Sequence, residues 1–206
     1  MQPVSWDRIG SALRDHRPVR LSEDVAHHAA VALILREGRG GLELLFIRRA
    51  EDSRDPWSGQ MAFPGGRREP ADSSLLDTAI RETREETGLD LAGHGEPLGA
   101  LDEIQAMARM KALGLAIAPF AFRLRAAVEA RPSSEVRSVH WIPVAALADS
   151  RNRSTYDYDH EGTPYPLPCL RFDHVVIWGL THRMVMSFLA LLARAEGHDH
   201  ASVGGR

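Results

Sequence analysis

The chain of 206 residues is 44% hydrophobic and 26% charged, a composition typical of a globular protein with one large core. Its formal net charge of −3 provides no attraction to a nucleic-acid backbone, which excludes nucleic acid as an expected partner. The single cysteine, Cys169, excludes an intramolecular disulfide, and the N-terminal residues lack the apolar core of a signal peptide. We therefore expect a cytoplasmic protein with no membrane partner.

The first third of the chain predicts a helix, a hairpin and a long loop. Residues 5–15 are predicted to be helical, with Ser5 as the N-cap. Two apolar runs, AAVALILRE and LELLFIRRA, flank the letters GRGG, which is typical of a β-hairpin. The segment EDSRDPWSGQMAFPGG is rich in turn-forming residues and ends in a short strand over residues 61–63.

The clearest helix of the sequence begins at residue 72 or 73 and continues to residue 87. Ser73, Ser74 and Asp77 provide capping groups at its start, and Gly88 is suited to the turn that ends a helix. The helix also has an apolar side, so we expect it to pack on the core with its polar side in a fixed direction.

The rest of the chain predicts more strands and a last helix. Strands are predicted at LGALDEIQ, LGLAIAPFAFRLR and EVRSVHWIPV, with a loop at AMARMKA and a short helix at PVAALAD. The segment SRNRSTYDYDHEGTPYPLP is predicted to be a polar, proline-bearing loop, and LRFDHVVIWGL leads into a helix that ends near Arg194.

The order of these elements predicts the fold class and the domain boundaries. Strands and helices mix without strict alternation, so we expect an α/β (α+β) fold with a mixed β-sheet sandwiched between helices. We expect an N-terminal helix and lead-in over residues 1–27, one domain over 28–195 and a disordered tail over 196–206.

Three carboxylates lie on one face of the helix that ends before Gly88. Glu82 precedes Glu85 by three residues and Glu86 by four, so the three side chains converge. Like charges at this spacing each cost about 0.2–0.5 kcal/mol on an exposed helix. A solvated face balanced by arginines is one interpretation. A hard cation such as Mg²⁺ or Mn²⁺ among the oxygens is the other, and the preceding letters PGG favour it, because glycines let the backbone approach a bound ion.

The same region resembles a known signature. Gly66, Asp72 and the letters RETREETGL over 81–89 resemble the Nudix box of the Nudix hydrolase superfamily. In this chain Thr83 stands where an aliphatic residue is usual. Asp72 replaces the usual glutamate, and eight residues rather than seven separate it from Arg81.

This resemblance implies a Nudix-type fold and a metal-dependent hydrolase. Such an enzyme cleaves the diphosphate of a nucleoside diphosphate linked to another moiety, using Mg²⁺ or Mn²⁺. Arg81 is implied to orient a glutamate through a bidentate pair. The implied metal ligands are Glu82, Glu85, Glu86 and the carbonyl group of Gly66.

The identity of the general base is left open by the sequence. Glu86 is one candidate, acting as both ligand and base. Glu135, just before the strand that carries Trp141, is another, either as the base or as a further ligand. Asp102 and Glu103 are weaker candidates.

A second resemblance concerns the substrate. The letters RRAEDSRDPWSGQMAFPGG, and IWGLT near the C-terminus, resemble motifs of coenzyme A diphosphatases within the superfamily. Four residues rather than three separate Arg54 from Gly59. This resemblance implies cleavage of coenzyme A or its derivatives into 3′,5′-ADP and 4′-phosphopantetheine. The arginines would grip phosphates, and Trp57 either stacks on a base or covers the core edge. The substrate-binding candidates are Arg49, Arg54, Trp57, Gly59 and Arg67.

Other functions stay open. The extra residue near DPWSG leaves ADP-ribose, nucleotide sugars or oxidised nucleotides as alternative substrates. A non-catalytic nucleotide-binding module is a further alternative, although the three glutamates are all present. A homodimer is possible, and the sequence locates no interface.

Overall fold

A mixed β-sheet forms the centre of the molecule. The computed structural model describes residues 4–21, 25–53, 55, 57–108, 111–160, 162–172 and 174–202. Eight strands of this described part make the sheet: β1 His27–Gly38, β2 Gly41–Arg49, β3 Met61–Ala62, β4 Gly65–Arg67, β5 Gly95–Ala100, β6 Ile104–Ala108, β7 Lys111–Leu124 and β8 Val136–Pro143.

The remaining elements of the described residues are three strands, five α-helices and a 3-10 turn at Ser150–Asn152. A smaller sheet contains β9 Arg153–His160, β10 Thr163–Phe172 and β11 Val175–Trp178, in the order β11-β10-β9. The helices are α1 Trp6–Asp15, α2 Leu75–Thr87, α3 Leu91–His94, α4 Val144–Ala148 and α5 Gly179–Ser202.

The large sheet has the strand order β3-β2-β1-β7-β5. Strand β4 also pairs with β1, β6 with β7 and β8 with β2. The pairing of β1 with β7 is parallel, whereas the other pairings of this sheet are antiparallel. The predicted mixed sheet is confirmed.

Strand β1 is buried on both faces, because helices cover both sides of the sheet. Ala30, Ala32 and Ile34 belong to the apolar cluster that contains Ala79 of α2. The alternate residues of β1 belong to the cluster that contains residues of α1 and α5, among them Phe188. The core therefore consists of two layers, and α2 lies on one side of the sheet, opposite α1 and α5.

Capping residues in the sequence mark both ends of helix α2. Ser74 is the N-cap, and its hydroxyl oxygen accepts a hydrogen bond from the Asp77 N–H group at 3.1 Å. Gly88 has a φ angle of 69°, and its N–H group donates to the Arg84 carbonyl at 2.9 Å. The helix starts at Leu75, two to three residues later than expected.

The structure of residues 150–168 differs from the loop expected from the sequence. The predicted loop is wrong, because β9 and β10 form an antiparallel hairpin there. Pro164, Pro166 and Pro168 alternate along β10, which has only β9 as a described neighbour at these positions. Alternate residues of such a strand direct their N–H groups away from the neighbour, so a proline there removes no ladder hydrogen bond.

The strands after α2 also have bounds that differ from those expected. The segment AMARMKA is not a loop over its described residues, because β6 continues to Ala108 and β7 begins at Lys111. The segment LGALDEIQ is not one strand either, since β5 ends at Ala100 and β6 begins at Ile104. Helix α3 was not predicted.

Helix α5 extends to Ser202, so it enters the segment 196–206 that the sequence predicts to be a tail. The expected domain boundary at residue 195 therefore falls inside a helix. None of the described helices has both the length and the apolar character needed to cross a membrane.

Candidate active site

Arg81 is the centre of a charge network on α2. Its Nε and Nη2 atoms donate to the two carboxylate oxygens of Asp72, each at 3.0 Å. Its Nη1 atom donates to Glu82 Oε1 and Glu85 Oε2, also at 3.0 Å. Nη2 donates in addition to the carbonyl group of Arg67 in β4 at 3.0 Å. The bidentate partner of Arg81 is thus Asp72 rather than a glutamate, and the guanidinium holds two helix carboxylates close together.

Asp72 is buried and accepts two further hydrogen bonds. The N–H group of Glu69 and the hydroxyl of Thr78 both donate to it at 2.9 Å. The hydrogen bonds from Arg81 hold the pKa of Asp72 well below its usual range, and Asp72 in turn raises the pKa of Arg81. Asp72 therefore remains ionised and fixes Arg81, although its spacing departs from the usual motif.

The three glutamates of α2 differ in burial. The side chains of Glu82 and Glu86 are 17% and 5% exposed, whereas that of Glu85 is 57% exposed. Burial raises the pKa of Glu82, and the hydrogen bond from Arg81 opposes this effect. Burial raises the pKa of Glu86 to about 7, against the N–H group of Gly65 and the charge of Arg49. In both groups burial disfavours the ionised form more than the neighbouring donors favour it.

The double glycine brings β4 into contact with these carboxylates. Gly65 has a φ angle of 154°, and a Cβ atom there would lie 2.2 Å from the carbonyl oxygen of Ala30 in β1. Its N–H group donates to Glu86 Oε2 at 2.8 Å. A Cβ atom on Gly66 would lie 2.4 Å from Glu82 Oε1. Side chains at these positions would displace either the strand or the carboxylate.

Arg49, the last residue of β2, connects this helix to the preceding loop. Its Nε atom donates to Asp55 Oδ2 at 2.7 Å, and its Nη1 atom lies 3.8 Å from Glu86 Oε1. Asp55 Oδ1 also accepts a hydrogen bond from the Trp57 N–H group at 3.0 Å. Asp55 therefore fixes the position of Arg49 beside Glu86.

These groups line a cleft of about 320 Å³, which we call the acidic cleft. Its charged lining includes Arg49, Arg67, Glu82, Glu86 and Glu135. Its apolar lining includes residues of β1, β7 and α5, namely Ala29, Val31, Leu115, Ile117, Leu180 and Met184. The cleft thus combines charged groups of both signs with an apolar side.

Most predicted site residues are brought together here. Glu135 is exposed, and its charge raises the pKa of both Glu82 and Glu86. Trp57 lines the cleft and also packs against the core, so both roles considered for it stay open. Gly66 and Arg67 belong to the same wall in β4.

Two predicted residues lie outside the cleft lining, and the position of a third is not described. Arg54 is outside the residues that the structure describes. Gly59 is not part of the described cleft lining, and its carbonyl accepts a hydrogen bond from Arg48 Nε at 3.3 Å. Glu85 is not part of that lining either, and it reaches the network only through Arg81.

The weaker base candidates have structural partners. Asp102 Oδ1 accepts from the Val19 N–H group at 2.8 Å, and Glu103 Oε2 accepts from that of Leu21 at 2.9 Å. Both carboxylates therefore fix the lead-in between α1 and β1. Arg68, a neighbour of the candidate Arg67, donates to backbone carbonyl groups just before α2.

A hard divalent cation fits the donor chemistry of the acidic cleft. The candidate ligands are oxygens, and Glu82, which is partly buried, and Glu86, which is buried, have raised pKa values. Across the described residues, no three acidic, histidine or cysteine side chains already form a metal centre. Arg81 instead supplies the positive charge between Glu82 and Glu85.

The structure adds residues that the sequence interpretation did not assign to the site. Asp55 and Gln60 line the cleft from the loop before β3, and Thr181 lines it from the start of α5. The letters DPWSG and IWGLT contained two of these residues. The sequence pattern does not reveal that the loop before β3 and the start of α5 line one cleft, because this depends on how α5 packs against the sheet.

Comparisons with known proteins identify the family of the chain. Residues 26–160 match the family model of the NUDIX domain. The mitochondrial coenzyme A diphosphatase NUDT8 of Homo sapiens is 30% identical over 171 residues, covering 80% of this chain and 69% of that protein. An uncharacterized protein of Schizosaccharomyces pombe is 41% identical over 107 residues, which are 50% of this chain and 32% of that protein. The crystal structure of a MutT protein from Methanosarcina mazei superposes with a TM-score of 0.48 at 18% identity, covering 90% of this chain and 99% of that one.

Proposed function

The chain belongs to the Nudix family of hydrolases, which act on phosphoric anhydrides, and on that premise we propose that it cleaves the diphosphate of coenzyme A or its derivatives. The products are 3′,5′-ADP and 4′-phosphopantetheine. One observation carries this proposal: the segment that resembles the coenzyme A diphosphatase motif forms a wall of the same cleft that Glu82 and Glu86 line.

The lining of the acidic cleft supports this substrate. Arg49 and Arg67 provide cationic groups for the phosphate oxygens. The apolar residues of β7 and α5 provide a surface for the aliphatic pantetheine chain, and a cleft of about 320 Å³ accommodates part of such a molecule. The similarity to the human coenzyme A diphosphatase points in the same direction.

Mg²⁺ or Mn²⁺ would be held by Glu82, Glu85, Glu86 and the carbonyl group of Gly66. When bound, such an ion lowers the pKa of a water molecule and neutralises charge on the diphosphate. Arg81 keeps the carboxylates of Glu82 and Glu85 together, and Asp72 keeps Arg81 in place. Gly65 orients Glu86 through its N–H group.

Glu135 is the better candidate for the base that takes the proton of the attacking water. One oxygen of Glu86 already accepts from Gly65, and the other lies near Arg49. The exposed side chain of Glu135 lines the cleft and has no hydrogen bond or ion pair with another described residue. A free carboxylate in this position is able to accept a proton.

The experiment is hydrolysis of a substrate panel with Mg²⁺ and with Mn²⁺. The panel contains coenzyme A, acetyl-coenzyme A, ADP-ribose, a nucleotide sugar, NADH and 8-oxo-dGTP. We expect metal-dependent release of 3′,5′-ADP from the two coenzyme A compounds in preference to cleavage of the others. Metal-dependent cleavage of other diphosphates alone would reject coenzyme A and retain the hydrolase.

One observation favours a second candidate substrate class. Asp55, next to the inserted residue, occupies Arg49 with a hydrogen bond of 2.7 Å and so reduces the positive charge available to phosphates. A substrate with fewer phosphate groups than coenzyme A, such as ADP-ribose or a nucleotide sugar, would need less of that charge. Asp55→Asn tests this: it should improve the kcat/KM for coenzyme A relative to ADP-ribose if coenzyme A is the poorer substrate.

A further inference from the structure

A second cleft, of about 450 Å³, lies beside the acidic cleft. It is formed where the small sheet faces strands β2, β3 and β8 of the large sheet. We call it the aromatic cleft after its lining, which includes Arg48, His140, Tyr156, Tyr158, His174 and Trp178.

The rings of the small sheet form one continuous wall of this cleft. The ring centroids of Tyr156 and Trp178 are 4.4 Å apart and the rings are stacked with an interplanar angle of 18°. Tyr158 lies two residues along the same strand, on the same face, and its ring centroid is 5.5 Å from that of Trp178. The three rings are only half-buried, so they present aromatic surface to the cleft.

Hydrogen-bond donors stand opposite this aromatic wall. Arg48 donates from Nε to the carbonyl of Gly59, and no carboxylate of the described residues forms an ion pair with it. His140 is hydrogen-bonded to the Ser138 hydroxyl at 2.8 Å. The acidic lining residue Asp159 accepts from a backbone N–H group at 2.7 Å, which engages its carboxylate. The cleft thus combines ring surface with the cationic N–H groups of Arg48.

The two clefts border each other at strand β3. Gln60 and Met61 line both of them. Arg48 and Arg49 are adjacent in β2, and they line the aromatic and the acidic cleft respectively. Parts of one ligand held in the two clefts would be separated by Gln60 and Met61.

We propose that the aromatic cleft binds the nucleobase of the substrate whose diphosphate is cleaved in the acidic cleft. This assignment rests on the proposed function for the position of the diphosphate. A nucleobase has a π-face for the Tyr156 and Trp178 wall and acceptor atoms for Arg48. An aliphatic chain has neither, and the apolar lining of the acidic cleft suits it better.

Calorimetric titration with AMP and with ribose 5-phosphate tests the assignment. Neither probe contains a diphosphate, so both can be titrated with Mg²⁺ present. We expect AMP to bind at least about tenfold more tightly than ribose 5-phosphate, because base stacking contributes that much. Tyr156→Leu should remove the difference, and Tyr156→Phe should restore most of it. Equal affinities of the wild-type protein for the two probes would overturn the proposal, as would a Tyr156→Leu protein that still discriminates.

Two further variants keep the test decisive. Tyr165→Leu changes an exposed tyrosine of the same hairpin that is not part of the cleft lining, and it should leave the discrimination unchanged. If Tyr156→Leu does not fold, Arg48→Gln examines the same cleft. It should weaken AMP binding and leave ribose 5-phosphate binding as it is, and an equal loss for both probes would contradict the proposal.

The titrations are independent of turnover. Discrimination between AMP and ribose 5-phosphate without hydrolysis of any diphosphate would reject the proposed function and keep the base site. Hydrolysis of coenzyme A without such discrimination would do the reverse.

Discussion

The acidic cleft and the aromatic cleft share Gln60 and Met61 but are held together by different forces. In the acidic cleft, hydrogen bonds fix the charged side chains, for example between Arg81 and Asp72. The backbone of Gly65 and Gly66 lies close to the carboxylates of α2 and completes the wall. In the aromatic cleft, the rings of Tyr156 and Trp178 stack on each other, and the wall belongs to the small sheet outside the main sheet. If both proposals hold, the chemistry takes place on the main sheet, and the base is recognised by a smaller sheet that is separate from it.

The largest expected effect is a loss of catalysis without a comparable loss of substrate binding. Glu82→Gln should lower kcat by roughly 10³-fold and leave KM nearly unchanged, because a bound metal contributes several kcal/mol to the transition state. Steady-state kinetics with the preferred diphosphate of the panel measures both constants. Glu96→Gln, which alters an exposed pair with Arg125, is the matched control and should behave like the wild type. A rise in KM without a fall in kcat would place Glu82 in substrate binding instead.

The next effect concerns the charge network that supports the acidic cleft. Asp72→Asn should lower the free energy of unfolding by about 2–3 kcal/mol, because it leaves the largely buried Arg81 without its bidentate partner. Urea unfolding at neutral pH gives this difference. Asp149→Asn also removes a partner from an arginine, but that pair is on the surface, so it should leave the unfolding midpoint almost unchanged.

The same variant has a defined pH dependence. The pKa of Asp72 is lower in the folded than in the unfolded protein, so its contribution is fully present above the unfolded value of about 3.9. It is lost as the pH falls below that value towards the folded pKa. The difference between wild type and Asp72→Asn should therefore shrink below about pH 4. A difference that grew with acidification would show that Asp72 is not held as a carboxylate.

A smaller effect on activity is expected when a side chain is added to the glycine backbone of β4. Gly66→Ala places a methyl group 2.4 Å from the present position of Glu82 Oε1, so the carboxylate must move. We expect kcat/KM to fall by roughly 10- to 100-fold, because small displacements of reacting groups are costly. Gly40→Ala, in open space at the β1–β2 turn, is the matched control and should retain activity. Full activity of Gly66→Ala would show that the contact with Glu82 is unimportant.

The smallest effect is expected inside α2. Thr83 is fully buried, and its hydroxyl donates to the Ala79 carbonyl at 2.7 Å within the same helix. Thr83→Val keeps the volume and leaves the carbonyl in the helix ladder, so stability should change by less than about 1 kcal/mol. Thermal unfolding checks this, and a larger loss would reveal a role for the hydroxyl beyond the helix.

The contrast between the clefts also explains what the sequence could predict. Helix α2 is encoded locally by the Ser74 cap, by Gly88 and by its apolar spacing, so its end and its carboxylates were predictable, whereas its start was expected two to three residues too early. Asp72 was harder to interpret, because its displaced spacing hides the bidentate bond to Arg81 that only the folded loop creates.

The small sheet could not be predicted in the same way. Its strand β10 contains three prolines, which locally indicate a loop, and only pairing with β9 makes it a strand. Tyr156 and Trp178 are 22 positions apart in the sequence numbering and meet only through that sheet. The aromatic cleft is therefore a product of tertiary structure, whereas the acidic face of α2 is visible in the letters themselves.

The most direct test of the account is the rate of 3′,5′-ADP release from coenzyme A as the Mg²⁺ concentration is raised from zero. We expect no 3′,5′-ADP release with excess EDTA and a saturable rise in its rate with Mg²⁺. The Glu82→Gln protein should show no comparable rise. Release that is unaffected by EDTA, or that persists in Glu82→Gln at the wild-type rate, would contradict a metal-dependent hydrolase centred on the acidic cleft.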